Sequence, residues 1–338
     1  MKVLLTGAAG FIGSRVRRAL GAAGHEVVGV DLMLASVHGP EARLPDGVVQ
    51  VDVRDREALV PLLAGVDSVC HLAALVGDES DSGTGDFVLH NDHATAVLLA
   101  GMADAGVRSL VLASSVVVYG EGRYRAVRGG PFFPGLRSRA DLDRGMFDHR
   151  APRSGEVLTW EPVAEDTPPR PRSAYAASKA AQEHYAYAWG LNAGAAVTVL
   201  RYHSVYGEGA RVGPAARFRD DLLVGRAPRV FEDGGQVRDL VHVDDVVVAT
   251  VAAVERQPPG FVPLNIASGH PITLWEVASL MAKATGGPTP VVTGQYRIGD
   301  VRHFVGDHRR AAHTIGFTAR VAPAQGLAEF ARGAVENS

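Results

Sequence analysis

The sequence predicts an α/β fold, a doubly wound parallel sheet with a smaller C-terminal α/β lobe. Three observations carry that expectation. Apolar, β-rich runs alternate with helical stretches through the first half of the chain, the pattern of a parallel sheet covered on both faces. The first run, Lys2-Val3-Leu4-Leu5-Thr6, ends directly in Gly7-Ala8-Ala9-Gly10-Phe11-Ile12-Gly13, and Phe11, Ile12, Val16 and Leu20 then form the apolar stripe of a helix. Strand, glycine turn and helix make a Rossmann-type dinucleotide loop, in which bare backbone N–H groups meet a pyrophosphate at a helix N-terminus. A second strand, Glu26 to Val30, ends in Asp31, where such a fold holds an adenosine ribose. A carboxylate there repels a 2′-phosphate, so the predicted cofactor is NAD rather than NADP.

The remaining elements follow in order. Val48 to Val51 reads as a strand followed by Asp52, and Asp55 to Leu63 as a helix. Ser68 to Leu72 is a strand, Val88 to Ala105 a long helix, and Leu110 to Ala113 a strand running into Ser114-Ser115. Gly7, Asp31, Asp52, Ala73 and Ser114-Ser115 each follow a predicted strand, so all are expected to line one crevice at the carboxyl ends of the sheet. Ala174 to Trp189 is helical and Val197 to Leu200 a strand. Helices are expected near Val243 to Glu255, Leu274 to Ala284 and Ala324 to Glu336, the last opened by Pro323. Residues 1–201 with 233–265 are expected to form the NAD-binding domain, and residues 202–232 with 266–338 the smaller lobe over the crevice.

Residues 121–172 interrupt the alternation. The stretch from Gly120 to Arg172 is rich in Pro, Gly and Arg, shows no clear periodicity and reads as a long structureless loop. A solvated surface loop and a functional cover over the site are both open at this point.

Composition sets limits. At 338 residues and net charge −3 the chain can bury a substantial core and offers nothing to a polyanion, so no nucleic-acid partner is expected. No apolar run suits a membrane span. The lone cysteine, Cys70, lies in an apolar stretch, so neither a disulfide framework nor a reactive thiol is expected, and the chain reads as cytoplasmic. His90 and His93, or His303, His308 and His313, lack an accompanying cysteine or carboxylate pattern, so no metal is expected. His242 reads as fold support rather than as a base.

The chemistry rests on Tyr175 and Lys179, neighbours one helical turn apart. Lysine is otherwise confined to Lys2 and Lys283. A tyrosine loses its proton near pH 10, too high for a base at neutrality, and a nearby ammonium plus a positive nicotinamide ring favour the phenolate. Such a phenolate can take a proton from a substrate hydroxyl while hydride leaves the same carbon, with Ser115 holding the alcohol oxygen.

Taken in order, Gly7 to Gly13, His71-Leu72-Ala73-Ala74, Ser114-Ser115 with Tyr119-Gly120, Tyr175 with Lys179, and Gln236 to Asp245 make the chain resemble the extended short-chain dehydrogenase/reductase family. The resemblance runs essentially end to end and lies in the nucleotide-sugar epimerase branch, which includes dTDP-L-rhamnose 4-epimerase-like and UDP-glucose 4-epimerase-like proteins. It implies that Gly7, Gly10, Phe11, Ile12, Gly13, Asp31, Asp52, Val53, Ala73, Tyr175 and Lys179 bind NAD, with Asp52 and Val53 at adenine and Lys179 at the nicotinamide ribose. It implies Ser115, Tyr175 and Lys179 as catalytic residues. Ser115, Asn91, Ser204, Phe231, Arg238, Arg297 and Asp300 are implied at the nucleotide-sugar substrate, with Arg238 on the diphosphate. Phe231 is a candidate to stack near the base, and a core aromatic is the other reading.

Three departures narrow this. The 4,6-dehydratases of the branch place an Asp-Glu pair after the catalytic hydroxyl residue, whereas this chain has Val116-Val117, which cannot transfer protons. Many rhamnose-epimerase-like relatives carry Cys-Pro-x-Cys in the insertion, replaced here by Ala151-Pro152-Arg153-Ser154. Ser204 stands where relatives usually have an asparagine, and it lacks the amide donor; His203 beside it is an alternative contributor. The leading expectation is an NAD-dependent epimerase inverting C4 of an NDP-hexose through a 4-keto intermediate. A 4-ketoreductase, a uronate decarboxylase and a C3/C5 epimerase share the motifs. A non-catalytic dinucleotide sensor is disfavoured by the presence of Ser115, Tyr175 and Lys179 together. The resemblance also implies a homodimer, since the helices near Val88 to Ala105 and Ala174 to Trp189 carry apolar faces and in relatives such helices pair into a four-helix dimer contact.

Overall fold

Seven parallel strands form the central sheet of the computed structural model, which describes residues 1–77 and 83–336. They are β1 (Lys2–Thr6), β2 (Glu26–Asp31), β3 (Val48–Gln50), β4 (Ser68–His71), β5 (Ser109–Ser115), β6 (Ala196–Tyr202) and β7 (Phe261–Ile266), in the spatial order β7-β6-β5-β4-β1-β2-β3. The strand direction of winding reverses between β1 and β4, which pair in register from Val3 with Ser68 to Thr6 with His71. A crevice opens beyond their carboxyl ends, the place where such sheets bind ligands.

The two-residue period of a strand splits β1 between two cores. Val3 and Leu5 pack with Val16 and Leu20 of α1 (Gly13–Ala22) and with Val246 and Val254. Leu4 faces the opposite side, with Leu98 and Met102 of α2 (Ala94–Ala105) and Ala186 of α3 (Ala174–Ala193). Cys70 is fully buried in the first core and burial pushes its thiol up, as an inert cysteine requires.

The C-terminal elements add a second layer. Ser204–Tyr206, Val237–His242, Pro271–Thr273 and His303–Phe304 form a mixed sheet. A third core, including Phe218, Val277, Met281 and Leu327, lies between α4 (Pro214–Leu223), α6 (Leu274–Thr285) and α7 (Pro323–Glu336). Between them, α5 (Val243–Arg256) returns to the large sheet beside α1. His242 caps α5, its ring accepting from the Asp244 N–H at 3.3 Å, which is the structural role expected of it.

Two expectations are corrected. The long helix near Val88 is not continuous α-helix: Thr84–Phe87 leads into a π-helical turn, Val88–His93, and only then into α2. Widened turns of this kind insert one residue into a helix and collect at functional sites, and hydrophobic periodicity does not reveal them. The stretch 121–172 is not structureless either. Arg123–Arg125 pairs antiparallel with both Pro131–Phe132 and Thr159–Glu161, and Arg139–Asp143 is a helical turn. These strands are two or three residues long, too short to show alternation. Charge aligns them, through Arg123 and Arg125 on Glu161.

Candidate active site

The glycine loop is built by close backbone approach. Gly7 has φ +71°, and a Cβ on it would stand 2.8 Å from the Ala73 nitrogen, so β1 can meet the loop after β4 only with glycine there. A Cβ on Gly13 would overlap the Gly7 carbonyl oxygen, so α1 can start against the turn only with glycine. At Gly10 the nearest atom to an added Cβ is the Gly7 oxygen at 3.3 Å. These three positions divide into turn, approach and helix packing as a pyrophosphate-binding loop requires, so the residues present fit a dinucleotide. Phe11 and Ile12, half-buried, carry the loop into α1.

Asp31 is buried at the end of β2, with its carboxylate held from three sides. Oδ2 accepts the Ala9 N–H at 3.0 Å, while Oδ1 accepts the Met33 N–H at 2.9 Å and lies 3.1 Å from Nε2 of His38. This ties the glycine loop to the rim that would receive a ribose. Asp52 and Val53 follow β3, with Val53 buried. Asp52 accepts Arg54 Nε and Nη2 at 2.9 and 2.6 Å, and this hydrogen bonding holds its carboxyl below the ordinary range. Ala73 donates its N–H to Thr6 Oγ1 at 3.1 Å, fixing the loop after β4 against β1.

Ser115 is the last residue of β5 and Tyr175 lies in the first turn of α3, and the Ser115 hydroxyl is near enough to the phenol to favour its ionised form. Phe87 flanks the phenol ring with centroids 5.8 Å apart. Lys179 is buried one turn on, donating from Nζ to the Ala113 carbonyl at 3.0 Å. Burial lowers it to about 8, opposed by Glu183 and Asp92. Tyr175 is pushed up to about 12 by burial, partly opposed by the Ser115 hydrogen bond. The expected downward pull of Lys179 is not among the causes that set the phenol in the protein alone, where losing water costs the phenolate more than the Ser115 hydroxyl returns.

Beneath this pair lies a buried network. Glu183 accepts from Ser114 Oγ and grips Arg201, whose Nη1 donates to Tyr119 Oη at 2.7 Å; Tyr119 in turn donates to Asn265 at 2.8 Å. Glu183 was not singled out in the sequence; its place four residues beyond Lys179 is the one signal that could have found it, and its partner on β6 carries none. Asn91, expected at the substrate, is fully buried with its amide engaged in the protein. Oδ1 accepts the Leu75 N–H at 2.7 Å, and Nδ2 donates to the Leu75 carbonyl at 3.1 Å and Ser178 Oγ at 2.9 Å. Its side chain positions the π-turn against α3, because the widened turn directs it inward.

Across the crevice, Phe231 is half-buried rather than a core aromatic. Arg217 and Arg297 stand over its ring, with guanidinium carbons 5.0 and 5.8 Å from the centroid. Nothing in the sequence marked Arg217, which reaches Phe231 from α4. Arg238 packs on Phe304 and donates to the carbonyls of Val237, Arg302 and Val301 at 2.9 to 3.0 Å. Burial lowers its pKa and raises that of Asp300, the two charges opposing those shifts in one another. Ser204 heads the strand beside Leu240, half-buried. His203 next to it is buried against Gly306, and burial lowers it to about 4.

The segment 121–172 is stitched to this wall. Arg302, 2 % exposed, donates Nε to Asp148 at 2.8 Å, Nη1 to Glu232 at 2.8 Å, and both Nη atoms to Asp233 at 2.7 and 2.9 Å. Arg137 reaches Glu232 from the segment at 2.7 Å. Glu232 has φ +54°, a strained backbone held by these partners directly beside Phe231. Where relatives carry cysteines, the turn at 151–154 is closed by ordinary hydrogen bonds, the Ala151 N–H to the Glu156 carbonyl and Arg150 Nη1 to the Gly155 carbonyl, each at 2.9 Å.

The chain matches the description of the NAD dependent epimerase/dehydratase family over residues 3–134 and 152–267. It is 32% identical to a dTDP-L-rhamnose 4-epimerase of Burkholderia thailandensis over 351 residues, covering 97% of this chain and 93% of that protein. A dTDP-glucose 4,6-dehydratase of Streptomyces griseus is 33% identical over 344 residues, covering 96% and 92%. Among solved structures, MoeE5 in complex with UDP-glucuronic acid and NAD aligns over all of both chains, with TM-score 0.80 and 32% identity. The glycine loop, the Asp31 rim and the Ser115–Tyr175–Lys179 cluster thus sit in a fold shared along the whole length with NAD-bound relatives, and the chain belongs to the NAD-dependent epimerase/dehydratase family.

Proposed function

We propose that the protein is an NAD-dependent nucleotide-sugar epimerase that inverts C4 of an NDP-hexose. The observation that carries this reading is the gathering of Ser115, Tyr175 and buried Lys179 at the end of β5 and the start of α3, with Val116 and Val117 directly after Ser115. Bound NAD supplies a reversible hydride acceptor at the sugar carbon. Gly7, Gly10, Gly13 and Asp31 hold and orient it. Tyr175 takes the proton from the C4 hydroxyl as the carbon is oxidised, and returns it to the same oxygen after the planar ketone has presented its other face. Ser115 keeps that oxygen in place, and Lys179 holds positive charge near the phenolate. Val116 and Val117 offer no acid or base at C5 or C6, so the 4-keto sugar is re-reduced rather than dehydrated. Phe231 with Arg217 and Arg297 supplies an aromatic, cationic shelf for the nucleotide, and Arg238 adds positive charge beside it.

Exposed apolar side chains on two faces, Val88 and Leu89 before α2 and Tyr185 and Leu191 on α3, support a homodimer, which a solution mass measurement tests. Activity is tested by incubating the protein, without added cofactor, with UDP-, dTDP- and GDP-hexoses and following products by chromatography and mass spectrometry. A new peak of unchanged mass is the expected result. Loss of carbon dioxide or water, or turnover only with added NAD(P)H, overturns it in favour of a decarboxylase, a dehydratase or a reductase respectively.

A further inference from the structure

We propose that Asp92 is the counter-ion of Lys179, a positioning residue that keeps the lysine charged beside Tyr175. The inference rests on the reading of Tyr175 and Lys179 as the reacting pair. Asp92 lies in the π-helical turn Val88–His93. Its Oδ1 is buried and has no hydrogen-bond partner among the described residues. A buried carboxylate oxygen without a donor is costly, and it persists where a nearby positive charge compensates for it. The hydrogen bond of Asn91 Nδ2 to Ser178 Oγ ties the residue before Asp92 to the residue before Lys179, and the two charges act on one another without direct ion-pair contact. The turn that carries Asp92 is fixed by Asn91, whose amide bonds to Leu75 and to Ser178, the residue preceding Lys179.

The other groups facing Lys179 do not fill this role. Glu183, on the same helix, is the first of the charges that hold Lys179 up, but its oxygens are already engaged by Arg201 and Ser114. His71, on β4, bonds to Thr6 and Thr95 and is kept neutral by burial and by Lys179 itself. Ala113 contributes only a carbonyl. Asp92 is left as the carboxylate with an unspent oxygen. Burial raises it to about 6, so at neutral pH it is ionised and the pair is charged on both sides.

The three lysines of the chain make a direct test possible. Protein labelled with 13C at lysine Cε gives three signals, and the titration of Lys179 is followed with Lys2 and Lys283 as internal references. In the wild type Lys179 titrates near 8. In Asp92→Asn the midpoint falls by about one pH unit, the size expected for removing one nearby opposite charge, and Asp92→Glu returns it most of the way. The alkaline limb of kcat/KM moves down with it. An unchanged Lys179 titration in Asp92→Asn overturns the proposal. Should that variant fail to fold, Lys179→Met reads the coupling from the other side: the Asp92 carboxyl must titrate higher than in the wild type, and an unmoved Asp92 refutes the pairing. Because the titration needs no substrate, a shifted Lys179 in a protein that turns over no nucleotide sugar would sink the proposed activity while leaving the pairing intact.

Discussion

Arg201 grips Glu183 with both arms of its guanidinium, Nε to Oε1 at 3.0 Å and Nη2 to Oε2 at 2.7 Å, one helical turn beyond Lys179. The pair is almost fully enclosed, with 4 and 3 % of the side chains exposed. It joins β6 to α3 and, through Ser114, to the end of β5, so the strand that ends in Ser115 and the helix that carries Tyr175 are fastened together below the reacting atoms.

Glu183→Ala leaves Arg201 charged and buried, and is expected to cost about 3–5 kcal/mol of unfolding free energy. Urea denaturation measures it. Replacing both residues with methionine recovers most of that loss, since the cost lies in the abandoned charge. A double variant as unstable as the single one contradicts this account.

Tyr175→Phe removes one oxygen from a site whose shape is set by Phe87 and α3. NAD affinity, read by fluorescence titration, is expected to stay within a few-fold, while turnover falls by roughly 10²–10⁴, the usual contribution of a positioned acid–base group. Activity close to the wild type would remove Tyr175 from the mechanism.

Gly13→Ala places a methyl group on the Gly7 carbonyl oxygen. The loop must shift, at a cost of roughly 1–3 kcal/mol, and calorimetry with NAD is expected to show about a 10–100-fold weaker complex. Gly24→Ala, where nothing lies within 4 Å but φ is +83°, is expected to lower stability without touching NAD binding.

Acid should unfold the protein earlier than its carboxylates alone demand. Burial lowers His71 to about 3 and His203 to about 4, from an ordinary 6.5. Between those values the unfolded chain binds protons that the folded one does not. Stability is therefore intact above pH 6.5 and falls as the pH drops below it, by up to about 1.4 kcal/mol per pH unit for each histidine. Urea midpoints at pH 7.5, 6 and 5 check the slope, and His203→Gln should flatten it.

The sheet and the first half of the site were legible because both depend on local pattern. Lys2–Thr6 reads as a strand from five consecutive residues, and Gly7, Gly10 and Gly13 announce a turn in which side chains do not fit. Tyr175 and Lys179 share a helix, so their spacing alone places them together. What escaped the sequence depends on partners far along the chain. Arg217 meets Phe231 only because α4 crosses above it, and His38 meets Asp31 from a single helical turn, Ala35–His38, with no signature. Asn91 was placed at the substrate by resemblance, and its inward bonds to Leu75 and Ser178 come from a π-turn that the hydrophobic period does not show. The strands of 121–172 were hidden by their brevity and by register set through arginine and glutamate.

The junction at Arg302 bears on how this protein could be re-engineered or could have diversified. A loop held only at its two ends can be exchanged between cousins like a cartridge. The segment 121–172 cannot, since Asp148 reaches outside it to Arg302 and Arg137 to Glu232, and Arg302 in turn holds Glu232 and Asp233. A graft into another scaffold must carry all three of those residues, or it strands a guanidinium in the interior. Inheritance therefore links the insertion to the wall around Phe231, and a change in either has to be matched in the other.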